Sequence, residues 1–580
     1  MSVPGFNSPI PQASQAAQPP REVMATTDPL GLGPATNTVL QRAAGKPFGL
    51  LRAATRYAVG VTRTSAAAVA RAAGVETDPV VEPEARDRRF KDLAWSENPV
   101  YFSLQQQYLL ACQFAEDILE AGRSDQAEDL DDQKAAFLVR LLAEVSAPTN
   151  FALTNPEALI RAFQTGGKSL LKGAANVLED LANNDGMPQQ VDNSGFTLGE
   201  NLAVTPGRVI YRNELIELIQ YAPQTEKVHE VPIVCSPPWI NKYYVMDLAP
   251  ERSFVEWAVQ HERTVFMISY RDPDVSLQDM TMSDYLEKGV LTALDVVQEI
   301  TGAPKVDLVG LCLGGAMASM AAAHLAARKD ERLNTLSTFN THVDYSTPGE
   351  LAIMVDDETL ERLKLRMEAK GGVLPARDMA TAFDLLRPRD LVFRYVPTRW
   401  LMGEDAPAFD VLAWNVDSVR MPAKMHTEYL HELYGRNKLA RGEYELAGQL
   451  LDLAKVKVDT YVVGAINDHI VPWHSSFLAT DLLGGKVRYI LSNGGHIAGI
   501  VNPPGPKAWY ESLPAGQDDT TGAADIWRKN ATKTQGSWWE DWVAWSNKRA
   551  GKLVAPPASG SNVHRPIGEA PGRYVKGLAA

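Results

Sequence analysis

Three residues carry side chains that could act together as nucleophile, base and orienting acid: Cys312, His496 and Asp468. Cys312 is the centre of Gly310-Leu-Cys-Leu-Gly314, a G-x-S-x-G elbow pattern with cysteine in place of serine. Such a pattern predicts a sharp turn from a short apolar strand, Val306 to Leu311, into an Ala-rich helix that runs to about Arg328. Only small neighbours fit where strand and helix approach that closely. The turn lifts its central residue above the sheet edge at a helix N-terminus, where the dipole favours a thiolate. A thiol nucleophile needs a base within hydrogen-bond reach, and the base needs an acid to orient it. Asp468 lies in Gly464-Ala-Ile-Asn-Asp-His-Ile-Val-Pro472 and His496 in Asn493-Gly-Gly-His-Ile-Ala-Gly499, each just past a predicted strand. The chain order of nucleophile, acid and histidine is the one an elbow of this kind uses.

Other candidates fit less well. His469 and His474 stand too close to Asp468 in sequence to be served by it, and His324 falls inside the helix after the elbow. Asp344, after an earlier strand, is a reserve acid. An oxyanion formed at the elbow would meet the backbone N–H of Leu313 and a second N–H from the loop after an early strand. Ser236-Pro-Pro-Trp-Ile-Asn-Lys242 holds that second position, and its two prolines stiffen it, so Trp239 or Ile240 could supply the donor. Sulfur at the elbow points to acyl exchange rather than hydrolysis. A thiol that attacks a thioester makes another thioester at nearly equal free energy, so the acyl group stays activated for a second transfer.

The elements that must hold these residues are strands alternating with helices. Continuous apolar runs predict strands at Val231 to Cys235, Thr264 to Ser269, Val306 to Leu311, Thr335 to Phe339, Val458 to Val463 and Val487 to Leu491. Runs without polar alternation suit a parallel sheet covered on both faces, an α/β doubly wound arrangement. Helices are expected between them, at Phe254 to Gln260 and Ser283 to Ile300. The strand rhythm stops over residues 345–453, where Glu358 to Glu368 and Met379 to Leu386 read as helices, and an insertion of this size is expected to form a cap or lid. Upstream, the apolar spacing from Val100 to Leu181 is helical, with turns at Pro148-Thr-Asn150 and Asn155-Pro156. Residues 29–75 hold no acidic residue but carry Arg42, Lys46, Arg52, Arg56, Arg63 and Arg71, as one or two basic amphipathic helices would. The organisation expected is a disordered segment over 1–28, a helical domain over 29–190, a catalytic domain over 191–550 and an irregular tail over 551–580. Trp538-Trp-Glu-Asp-Trp-Val-Ala-Trp545 reads as a helix that docks its indoles.

Composition narrows the partners. A formal charge of -14 argues against nucleic acid, and with 45% apolar residues the 580-residue chain can bury a large core. Cys112, Cys235 and Cys312 are odd in number and widely spaced, which suits a reducing cytoplasm rather than a disulfide framework or a metal site. No apolar run is long enough for a transmembrane span, and the first residues lack the apolar core of a secretory signal. Neither a Walker sequence nor a complete G-x-G-x-x-G marks a nucleotide site.

Taken together, Gly310-Leu-Cys-Leu-Gly-Gly315, Pro237-Pro-Trp-Ile-Asn-Lys-Tyr-Tyr244, Asp468-His-Ile-Val-Pro-Trp473 and Gly495-His-Ile-Ala-Gly499 followed by Asn502-Pro-Pro504 resemble the polyhydroxyalkanoate synthases. Asp87-Arg-Arg-Phe90, Trp95-Ser-Glu-Asn-Pro99, Gly536-Ser-Trp-Trp539 and Ala570-Pro-Gly-Arg-Tyr-Val575 also look like that family, so the resemblance runs from about residue 85 to the end. A chain of this length with its own helical N-terminal domain is similar to the single-subunit class I type more than to class II. The resemblance implies an α/β-hydrolase fold with a helical cap over Cys312. It implies polymerisation of (R)-3-hydroxyacyl-CoA, short-chain 3-hydroxybutyryl-CoA above all, with release of coenzyme A. Carried onto this chain, Cys312 holds the growing polyester as a thioester and His496 deprotonates it. Asp468 either orients His496 or activates the 3-hydroxyl of the incoming unit. Coenzyme A arrives as part of the substrate, no cofactor or metal is called for, and its binding residues are not visible. The family also implies a homodimer on the surface of cytoplasmic polyester granules, a surface the basic helices would suit. The alternatives are a medium-chain, class II-like substrate range, a Cys-His-Asp thioesterase or dienelactone-type hydrolase, and a granule scaffold without chemistry.

Overall fold

The N-terminal third is helical, as its spacing predicts. The computed structural model describes residues 28–84, 87–126, 129–514 and 523–578, so the disorder expected over 1–28 lies outside the described residues except at Asp28. Six main helices come first: α1 (Leu32–Ala44), α2 (Pro47–Ala72), α3 (Pro99–Gly122), α4 (Leu130–Ser146), α5 (Pro156–Gln164) and α6 (Lys168–Asn183). Two of their starts are written locally. Asn98 accepts the N–H groups of Val100 and Tyr101, and Asn155 accepts that of Ala158, while the proline after each takes a helix position that needs no donor. The basic stretch folds into α1 and α2, but it does not present all its charge outward. Arg42 pairs with Asp129 and Asp132, Arg56 with Asp117, and Arg71 lies over the Phe102 ring. Arg52 and Arg63 remain exposed.

The rest of the chain is built on one eleven-stranded sheet. In chain order its strands are β1 (Gly207–Arg212), β2 (Ile216–Tyr221), β3 (Ile233–Ser236), β4 (Val265–Tyr270), β5 (Val306–Leu311) and β6 (Leu333–Phe339). They continue with β7 (Asp459–Ala465), β8 (Val487–Ser492), β9 (Trp509–Ser512), β10 (Thr532–Gln535) and β11 (Gly568–Glu569). Across the sheet the order is β10-β9-β8-β7-β6-β5-β3-β4-β2-β1-β11. β3 to β8 are mutually parallel and correspond to the six apolar runs of the sequence. The other five are antiparallel additions that the apolar pattern does not reveal. Their patterns are polar for physical reasons: β10 is exposed throughout, and β2 buries Glu217 and Gln220 among its apolar residues. The tail after residue 551 reaches the sheet: β11 pairs with β1 at its edge, and the N–H groups of Arg573 and Tyr574 donate to the buried Glu217 carboxylate.

Helices cover both faces of the sheet. On one lie α7 (Phe254–Gln260) and the tryptophan helix near the C-terminus, whose rings pack on Phe254 and Phe339. On the other lie α8 (Thr292–Thr301), entered through a π-helical turn at Tyr285–Leu291, and α9 (Leu313–Ala327). α9 is apolar all round and buried from Leu313 to Leu325, as a helix between sheet and cap must be. Between β6 and β7 the helical cap inserts, with α10 (Asp357–Ala369) and α11 (Ala376–Leu386) where the sequence places helices. Ion pairs fasten it to the N-terminal helices: Lys134 to Asp356 at 2.7 Å, Arg389 to Glu144 and Arg399 to Asp180 at 2.8 Å. The tryptophan helix is α12 (Trp538–Asn547), closed by a capping box between Ser537 and Glu540. No helix among the described residues is long and apolar enough to cross a membrane.

Candidate active site

β5 ends at Leu311, and the chain turns at Cys312 with φ 51° and ψ -119°, a backbone state that side chains other than glycine rarely adopt. The turn is held from both sides. The Cys312 N–H donates to the Phe339 carbonyl at 2.8 Å, and its carbonyl accepts the Gly315 and Ala316 N–H groups at 3.0 Å. The two glycines that follow are required by close approach. A Cβ on Gly314 would overlap the Ser236 carbonyl, and one on Gly315 would overlap the Thr341 hydroxyl. Cys312 is half-buried at the N-terminus of α9, whereas Cys112 and Cys235 lie in α3 and β3; all three carry free thiols.

Asp468 follows β7 and His496 follows β8, so the sheet order brings both to the end of the sheet where β5 delivers Cys312. His496 Nδ1 lies 2.7 Å from Asp468 Oδ2. The other carboxylate oxygen, Oδ1, accepts the N–H groups of Ile470 and Val471, each at 2.9 Å. The Asp468 side chain is 0% exposed. With Nδ1 committed to Asp468, Nε2 is the ring nitrogen left for Cys312, which is near enough to act on the ring electrostatically. Burial by itself would pull the His496 pKa down, but the Asp468 and Cys312 charges and the Asp468 hydrogen bond raise it well above its ordinary value. The indole N–H groups of Trp538 and Trp539 donate to the carbonyls of Gly499 and Ile500, which anchors the histidine loop on α12.

The remaining candidates lie elsewhere. The Asp344 carboxylate takes the Asn437 side chain at 2.9 Å and the Ser346 N–H at 2.7 Å, so it is spent on its own loop and the cap, and it is Asp468 that meets His496. Burial pushes His469 down to about 4. His474 faces Asp525 on the surface, and His324 is buried inside α9.

Leu313 opens α9, so its N–H is among those that helix geometry leaves without an internal acceptor. Leu313 and Ile240 both line a cavity of about 550 Å³ that extends under the cap. Its walls include Leu351, Leu374, Phe383 and Leu386, apolar surface of the kind that accepts an acyl chain. The loop carrying Ile240 is fixed by Trp239, whose ring is buried between Tyr285 and Tyr429 at 5.8 and 5.7 Å. Tyr429 and Tyr434 also line the cavity, and Tyr345 packs on Tyr434 at 4.7 Å. Sequence reasoning missed these tyrosines. Inside a helical insertion they have no spacing that separates them from ordinary core residues.

A parallel sheet with an elbow after β5, an acid after β7, a histidine after β8 and a helical cap between β6 and β7 defines an α/β-hydrolase-fold enzyme. The family model for the alpha/beta hydrolase fold matches residues 248–503, and that of "Poly-beta-hydroxybutyrate polymerase (PhaC) N-terminus" matches residues 86–258. Among curated relatives, the poly(3-hydroxyalkanoate) polymerase of Methylorubrum extorquens is 39% identical over 91% of this chain and 87% of its own length. Poly(3-hydroxyalkanoate) polymerase 1 of Ectopseudomonas oleovorans is 40% identical over 85% of this chain and 87% of its own. The poly(3-hydroxyalkanoate) polymerase subunit PhaC of Cupriavidus necator is 38% identical over 85% and 83%. The chain belongs to the poly(3-hydroxyalkanoate) polymerase family and is an acyltransferase.

Proposed function

We propose that the protein joins (R)-3-hydroxyacyl units from coenzyme A thioesters into polyester through a thioester on Cys312. The observation that carries this reading is the Cys312–His496–Asp468 relay beside an apolar cavity in a chain of this family. His496 Nε2 takes the thiol proton, and Cys312 Sγ attacks the thioester carbonyl. The Leu313 and Ile240 N–H groups meet the charge that develops on oxygen. The bond from carbon to the coenzyme A sulfur breaks, and the proton on His496 goes to that sulfur. The 3-hydroxyl of a second unit then gives its proton to His496 and attacks the acyl carbon. An ester bond forms, a C–S bond breaks, and the departing sulfur recovers the proton. The thioester supplies the driving force, so no further cofactor enters.

In this scheme Asp468 orients His496 and does not touch the substrate. Its carboxylate is fully buried and already receives two backbone N–H groups and the imidazole, which supports orientation over activation of the hydroxyl. The preferred substrate is 3-hydroxybutyryl-CoA. The cavity favours a second reading, because about 550 Å³ has room beyond a four-carbon acyl group and would admit longer side chains. Comparing kcat/KM for four- and ten-carbon hydroxyacyl thioesters separates the two. The protein acts as a homodimer on polyester granules in the cytoplasm; light scattering in solution and co-sedimentation with amorphous polyester test the two associations.

The deciding assay supplies (R)-3-hydroxybutyryl-CoA and follows free thiol together with polymer turbidity. Both should rise in the native chain, and neither in Cys312→Ala. Thiol release without polymer would instead identify a thioesterase, absence of both a scaffold, and polymerisation by Cys312→Ala would exclude the covalent route.

A further inference from the structure

β6 lies between β5, which leads into Cys312, and β7, which leads to Asp468. The chain that leaves β6 therefore runs between two of the three loops meeting at the site, with the third one strand further on. Its first three residues are Asn340, Thr341 and His342, all buried. Each sends its side chain to the main chain of a different loop. Asn340 has φ 45°, donates its own N–H to Val463, and directs Nδ2 at the carbonyl of His496 itself, 2.6 Å away. Thr341 Oγ1 lies 3.2 Å from the Cys312 carbonyl and 3.0 Å from that of Phe339, pressed onto Gly315 at the start of α9. His342 Nε2 lies 3.0 Å from the carbonyl of Ile470, whose N–H holds Asp468 Oδ1.

We propose that Asn340, Thr341 and His342 are positioning residues that set the placement of the histidine loop, the cysteine elbow and the acid turn relative to one another. The inference rests on the acyl-transfer reading above. Each of the three side chains reaches a loop that carries one reacting group, the Thr341 hydroxyl sharing its bond with the Phe339 carbonyl at the end of β6. Buried polar contacts of this kind select one arrangement, because a displaced loop leaves its partner unsatisfied in a dry interior. Their effect on rate follows from geometry: misplacing a reacting group by about 1 Å can cost on the order of 100-fold. Their side chains end on main-chain carbonyls and are buried, so the effect expected is on kcat and not on KM.

Two matched pairs of variants test this. Thr341→Val keeps the shape of the side chain and removes its hydroxyl, whereas Thr341→Ser keeps the hydroxyl. His342→Leu removes the donor to Ile470, whereas His342→Gln keeps one on a side chain of similar reach. In Thr341→Val and His342→Leu, kcat for coenzyme A release should fall by about 10- to 100-fold with KM changed by less than about twofold. The rate at which iodoacetamide alkylates Cys312, which needs no substrate, should fall in parallel. The serine and glutamine variants should return to within about threefold of the native chain by both measures. Unchanged kcat and alkylation in the folded valine variant would overturn the proposal, and so would an equal loss in Thr341→Val and Thr341→Ser, which would mean packing alone. If His342→Leu does not fold, the threonine pair decides. Failure of the underlying reading would show separately, as polymer made by Cys312→Ala.

Discussion

Replacing Asp468 by asparagine changes one oxygen for an amide nitrogen, and the surroundings dictate which one. Oδ1 of Asp468 receives two backbone N–H groups, from Ile470 and Val471, which only an oxygen can accept. The asparagine carbonyl must therefore take that side, and its NH2 must face His496 Nδ1, where the carboxylate oxygen stood 2.7 Å away. An amide donor facing Nδ1 makes that nitrogen an acceptor and moves the ring proton to Nε2, toward Cys312. The imidazole can then no longer accept the thiol proton, and the charge that raised its pKa is gone. A serine protease that loses its acid in this way loses about 10⁴-fold in kcat, or about 5 kcal/mol, and a loss of that order is expected here. KM should stay within about threefold, because the Asp468 side chain is fully buried behind His496. Rapid mixing with (R)-3-hydroxybutyryl-CoA adds a sharper readout. If Asp468 acts by orienting His496, the first release of coenzyme A, one per site, slows along with steady turnover. A rapid first release followed by arrested elongation would refute the reasoning and assign Asp468 to the substrate hydroxyl instead.

Two further predictions concern stability. Asp384, in α11, is pushed up to about 6 from 3.8 by burial, against the hydrogen bond it accepts from Gln190. The folded chain therefore holds this proton more tightly than the unfolded one, so the stability it contributes is full below about pH 4 and is lost as pH rises through about 6. Asp384→Asn should remove that slope, and its unfolding free energy relative to the native chain should rise by up to about 3 kcal/mol between pH 4 and pH 7 in urea titrations. Equal pH profiles for the two proteins would count against it. Arg399 and Asp180 form a buried pair at 2.8 Å that joins the cap to α6, and Trp400 Nε1 also donates to Asp180. Arg399→Ala should cost about 3–5 kcal/mol by leaving the Asp180 charge buried and underpaired, whereas Arg399→Met with Asp180→Leu should recover most of it. A melting temperature unchanged in the single variant would show that the pair contributes nothing.

How much of this is legible in the sequence differs from one part of the molecule to another. β3 to β8 can be read because strands covered on both faces are mostly apolar, even where β5 admits Asp307 and β6 admits Thr335, Ser337 and Thr338. β10, Thr-Lys-Thr-Gln, cannot, because an exposed edge strand is specified by the neighbour it pairs with and not by its own side chains. β11 is two residues long and exists only because β1 offers it an edge. Asp344 stands after a strand just as Asp468 does, and only the fold shows that it turns to Asn437 rather than to the histidine.

Cys312, Asp468 and His496 are recognisable in the sequence because each lies in a local pattern with a local cause: small residues where a strand turns tightly into a helix, and polar turns just beyond buried strands. The sequence by itself determined that elbow, the six parallel strands and the chain order of the three residues, since these depend on neighbours a few positions away. Only the tertiary structure decided which acid meets His496, that the Asp468 carboxylate is closed to the cavity, and that Asn340, Thr341 and His342 reach three separate loops. Those facts depend on residues that are distant in sequence and become neighbours only when the strands stack, and no local pattern records such a pairing.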